Sequence, residues 1–94
     1  MIKHIVMWRL KDREKNASAL KEMLEALAGK IPEIRKIEAG INSKPSDASA
    51  DVVLYSEFDD ANSLAAYQKH PDHVKVAGFL KDVATDRRVV DYEF

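Results

Sequence analysis

The chain has 94 residues, no cysteine, and fifteen basic against sixteen acidic side chains. Its length suits one domain with a thin core. The missing cysteines exclude disulfides and thiolate chemistry, and the near-neutral balance argues against a nucleic-acid binder, which carries a basic surplus on one face.

The opening stretch, IKHIVMWRL at 2–10, alternates as a strand. Ile2, His4, Val6, Trp8 and Leu10 share one face; Lys3, Ile5, Met7 and Arg9 share the other. The middle of this strand is therefore apolar front and back, the pattern of a central strand covered on both sides. Lys3, His4 and Arg9 interrupt it too often for a secretory leader. No run approaches the length of a membrane span, so a soluble cytoplasmic protein is expected, with neither membrane nor nucleic acid as partner.

From Asn16 to Ala28 the period becomes helical. Leu20, Met23, Leu24, Leu27 and Ile31 form one apolar stripe. Asn16 or Ser18 is expected to cap the start, and Gly29 and Pro32 to end the helix. A second strand is expected over 34–42, with Ile37, Ala39 and Ile41 on one face, then a loop over 43–51 and a third strand over 52–58. A helix beginning at Asp59 or Asp60 runs through Leu64 and Tyr67 and halts near Pro71. Another extends from Pro71 to Ala84, its stripe being Val76, Phe79, Leu80 and Val83. RRVVDYEF closes the chain as a fourth strand, with Val90, Tyr92 and Phe94 on one side.

The order βαββαβ is that of a ferredoxin-like α+β fold, a four-stranded antiparallel sheet with its helices on one face. Since Ile5 and Met7 oppose Val6 and Trp8, an apolar patch survives on the uncovered face. Such a patch implies a partner, and a homodimer packed sheet against sheet about a twofold axis is expected.

The chemistry concentrates at His70-Pro71-Asp72-His73. An unbroken helix would hold Tyr67 and His73 about 120° apart around its axis. Pro71 lacks an N–H and collides with the carbonyl of Tyr67, so the helix must break and restart; the restart can bring His73 back toward Tyr67. Three readings of the corner stay open. It is a helix start whose flanking histidine is partly buried; or His73 is a general base near neutral pH with Tyr67 as its partner; or His70, His73 and His4 share a metal, a geometry that Pro71 disturbs. His4 lies among apolar residues and can serve as a polar group in a small-molecule pocket. Trp8 is expected first as a packing anchor and, beside His4, as a pocket residue. No serine elbow and no glycine-rich phosphate loop is present.

KHIVMWRLK, VLYSEFDDANSLAAYQKHPDHVKV and VVDYEF together resemble the stress-responsive dimeric α/β-barrel (Dabb) domain over nearly the whole chain. The Tyr-x-x-His-Pro-x-His-Val run, Tyr67 to Val74, combined with His4, is the most specific part, and is similar to olivetolic acid cyclase-like proteins. The resemblance implies a homodimeric barrel closed by two sheets, with no cofactor and no metal. It further implies a small apolar or aromatic ligand and, by carry-over, His73 and Tyr67 as a proton-transfer pair for cyclisation or a related lyase step. The first-strand histidine falls on His4, which would help bind substrate; Trp8, a substrate-binding candidate by its place beside His4, would also fill space that a long substrate needs. The third strand carries Val52 and Val53 but no histidine, so the pocket is expected to be less polar than in those cyclases.

Overall fold

The computed structural model describes residues 1–94. Its elements are β1 (Ile2–Leu10), α1 (Arg13–Ala26) followed by a 3-10 turn (Leu27–Gly29), β2 (Lys36–Ile41), β3 (Val52–Phe58), α2 (Ala61–Lys69), α3 (Pro71–Val83) and β4 (Ala84–Glu93). The strands form one antiparallel sheet in the order β2-β3-β1-β4. This is the expected ferredoxin-like arrangement, with β1 central.

Register explains the two faces. Val6 stands opposite Leu54 of β3 and Val89 of β4, and Trp8 opposite Val52 and Arg87. His4, Val6, Trp8 and Leu10 are buried, as are Val52, Leu54, Ser56 and Phe58, under the helices. Leu20, Leu24, Leu27 and Ile31 close the core from α1 and the turn after it. The opposite face has no cover within the chain. Met7, Val90 and Tyr92 are exposed there, with Ile5, Val53 and Tyr55 half-buried. The Lys3 ammonium lies 4.6 Å from the Phe94 ring centroid and 5.9 Å from those of Tyr55 and Tyr92.

Four expectations need correction. First, α1 begins at Arg13, ahead of Asn16, and neither Asn16 nor Ser18 caps it. Asp12 occupies the cap position with left-handed backbone (φ 44°) and makes no side-chain cap bond; aspartate tolerates that region better than most residues. Asn16 reaches backward instead, donating Nδ2–H to the Lys11 carbonyl at 2.6 Å. Second, β2 is confined to 36–41, because Arg35 N–H is the last bond on that side, to Glu57 O, and Ile34 N–H turns back to Ile31 O. Third, β4 starts at Ala84 rather than Arg87, pairing early with Leu10 across a register shift. Fourth, of the α3 stripe only Val76 is buried; Phe79, Leu80 and Val83 are half-buried, because α3 stands over an open space beside the sheet.

Asp51 ties the far end of β1 to the loops. Its carboxylate accepts from Leu10 N–H at 2.8 Å and from Arg13 Nε–H at 3.1 Å, and its own N–H donates to Trp8 O at 2.7 Å. Arg13 also donates to the Asn42 carbonyl. The carboxylate side chain is only 14% exposed. Asp51→Ala, which strands these donors, should lower the urea-unfolding free energy by about 2 kcal/mol; an unchanged midpoint would show that the anchor is dispensable.

Candidate functional site

His70 links the two C-terminal helices. It is the C-cap of α2 and the N-cap of α3, with extended backbone (ψ 137°) and its ring Nδ1 accepting from Asp72 N–H at 3.1 Å. Pro71 is the first helical residue of α3, where its missing N–H costs nothing. His70 is thus spent as a cap, and no three His, Cys, Asp or Glu groups are placed to hold a metal ion.

The restart carries His73 to Tyr67. Their ring centroids lie 4.6 Å apart in an edge-to-face arrangement, and Tyr67 lies 6.1 Å from His4 in the same manner. Phe58 supports the cluster from the sheet, its centroid 4.9 Å from that of Tyr67. All three sequence-selected polar residues, with Trp8, line one cavity of about 470 Å³ between α3 and the sheet, flanked by β1 and β4. Val6, Leu24, Leu54, Val76 and Leu80 supply most of its apolar wall. That size is ordinary for a small-molecule pocket. Trp8 is both a core residue, 4% exposed, and a wall residue, and it does not close the space; Phe79 lies outside the lining.

The polar atoms differ in how they are satisfied. His4 Nδ1–H donates to the Asp91 carboxylate at 2.5 Å, while the His4 carbonyl accepts from Ser56 Oγ–H at 2.8 Å. The imidazole is thereby fixed, with Nε2 left for the cavity. Tyr67 is fully buried, yet its hydroxyl has no partner, and neither does His73 Nδ1. Buried polar atoms are nearly always paired, so two orphans on one cavity call for an explanation. Burial pushes the Tyr67 hydroxyl up to about 12. Burial also pushes the His73 imidazole below its ordinary value; the charges of His4 and Arg87 act in the same direction and the Gln68 backbone opposes them.

Gln68, Lys81 and Arg87 also line this cavity and were not among the sequence candidates. Arg87 had a legible signal: alternation along β4 sets it opposite the Val90 and Tyr92 side, and therefore on the helix side once β4 pairs with β1. Asp91 lies on that same alternate. Lys81 gave no such signal.

A family description, Stress responsive A/B Barrel Domain, matches residues 2–94. The chain belongs to this family. A relative from Streptomyces coelicolor, an uncharacterized protein, is 33% identical over the full length of both chains. Among solved structures, a dimeric protein of unknown function and ferredoxin-like fold from Bacteroides fragilis is 39% identical, covering 99% of this chain and 95% of that one, with a TM-score of 0.90. The hydroxynitrile lyase of Passiflora edulis superposes with a TM-score of 0.82 over 97% of this chain and 90% of that one at 18% identity, which shows a shared fold and no more. No helix of this Dabb chain is long and apolar enough to cross a membrane.

The His73 arrangement has a consequence for stability. In the unfolded chain the imidazole takes up a proton near pH 6.5; in the fold it does so only at lower pH. Its burial as the neutral form therefore contributes fully above pH 6.5, and that contribution is lost as pH falls through the folded value. Urea unfolding of wild type should weaken more than that of His73→Gln between pH 7.5 and pH 5. Parallel profiles would mean that His73 titrates as if unfolded.

Proposed function

We propose that this protein is a homodimeric Dabb barrel, joined through its open sheet faces, in which each subunit's cavity binds a small apolar or aromatic molecule. The observation carrying the ligand reading is the pair of orphaned polar atoms, Tyr67 Oη and His73 Nδ1, on a largely apolar 470 Å³ space. A ligand carbonyl would accept from the Tyr67 hydroxyl, while the apolar wall, Trp8 included, would take its ring system. The dimer reading is supported by the uncovered apolar patch around Met7, Val90 and Tyr92 and by the dimeric state named for the 39% identical relative.

A second reading, cofactor-independent proton transfer of the cyclase or lyase type, draws on one further observation. Its lowered pKa keeps His73 a neutral base near pH 7, and its ring lies against that of Tyr67. His73 would remove a proton from the carbon α to a bound carbonyl. The electron pair would move onto the carbonyl oxygen, where the Tyr67 O–H would stabilise the enolate. Tyr67, pushed up to about 12, acts there as a donor and not as a base.

The two readings separate with 2-tetralone, a bicyclic ketone with acidic α-protons. Titration followed by Trp8 fluorescence should show saturable quenching. Tyr67→Phe should weaken it about five- to tenfold, the worth of one hydrogen bond, with no loss of unfolding stability, because the hydroxyl removed had no partner. Absence of saturation would defeat the ligand reading. In D2O, wild type should accelerate α-deuteration of bound 2-tetralone and His73→Ala should not; equal rates with intact binding would leave a binding protein without catalysis.

A further inference from the structure

The charges around the cavity are one-sided. The chain carries one more acidic than basic residue, yet no Asp or Glu lines the cavity, while Lys81 and Arg87 do. The two cations come from different elements, Lys81 from α3 and Arg87 from β4. Neither forms an ion pair, and Arg87 is the one arginine of the five whose guanidinium engages no carboxylate or carbonyl, since Arg9, Arg13, Arg35 and Arg88 each do. Arg87 stands opposite Trp8 in the β1–β4 register, which sets it on the cavity side. The nearest acid on that side of β4 is Asp91, four residues along, roughly 13 Å at strand rise, and its carboxylate is taken by His4.

Both cations are exposed, so they sit where the cavity meets water, and the orphaned Tyr67 and His73 atoms lie buried. This gradient suits a ligand with a charged end and a neutral polar end. A carboxylate held deep in the cavity would lose its hydration; at the rim it keeps part of its water and gains an Arg fork and a Lys ammonium. Two side chains provide donors for one such group, and the start of α3 carries Asp72, which disfavours a second anion there.

We propose that the cavity takes an aromatic or alicyclic carboxylic acid bearing a carbonyl or hydroxyl group, its carboxylate read by Arg87 and Lys81 at the mouth and its neutral oxygen by Tyr67 inside. This rests on the small-molecule reading above and deepens it by fixing the charge of the ligand.

Calorimetric titration with 6-hydroxy-2-naphthoate and with its methyl ester distinguishes the two levels. The acid should bind about tenfold tighter than the ester, the worth of one charge-assisted contact. The preference should shrink as salt is raised from 50 to 500 mM and vanish in Arg87→Gln/Lys81→Gln, whose exposed positions leave the fold intact. If the ester binds as tightly as the acid, the carboxylate assignment falls and the cavity remains a binding site. If the preference survives in the double variant, Arg87 and Lys81 are not its source and the assignment falls as well. If neither compound binds, both this inference and the small-molecule reading fall.

Discussion

Everything in this molecule turns on a central strand that is apolar on both sides. β1 sends His4, Val6, Trp8 and Leu10 toward the helices and Ile5 and Met7 the other way. A 94-residue chain has only enough helix for one face. The second face, with Val90 and Tyr92 beside Met7, remains a contiguous apolar surface of the sort that soluble proteins seldom leave to water. On the proposal above it is covered by a second copy, since a face that carries Lys3 and Arg9 as well as Glu57 and Glu38 can complement itself about a twofold axis.

The same shortage of cover creates the cavity. α1 packs toward β2 and α2 toward β1 and β3, which leaves the helix side of β4 bare: Arg87, Val89 and Asp91 are all exposed. α3 approaches that region but buries only Val76. The Pro71 break decides the rest. It frees α3 from the axis of α2, and the price in continuity is small because His70 caps the new helix with its own ring. The cavity lies between α3 and the sheet, where α3 does not pack down fully. Tyr67 Oη and His73 Nδ1 stand there without hydrogen-bond partners beside aliphatic side chains, whereas buried polar atoms are nearly always paired.

Much of this was legible in the residues. Alternation in IKHIVMWRL alone places His4 on the buried side and foretells the second apolar face. The Pro71 restart foretells that Tyr67 and His73 meet. Three things were not legible, each for a physical reason. The start of α1 depends on a left-handed Asp12 and a back-bonded Asn16, so its boundary follows tertiary anchoring by Asp51 and not a side-chain cap. The early entry into β4 depends on pairing with Leu10, which no local pattern encodes. The cavity itself is invisible to periodicity: an apolar stripe such as Val76, Leu80 and Val83 reads identically whether it meets other side chains or empty space. Arg87 and Lys81 share that fate, because a cation in sequence does not announce what it overlooks.

Sedimentation equilibrium over a nanomolar to micromolar range tests the central constraint most directly, with wild type beside Met7→Lys/Val90→Lys. A two-faced β1 predicts that wild type sediments at twice the chain mass at micromolar concentration and that the charged pair sediments as a folded monomer. A wild type that stays monomeric and folded throughout would mean that the second face tolerates water, and the account built on it would not stand.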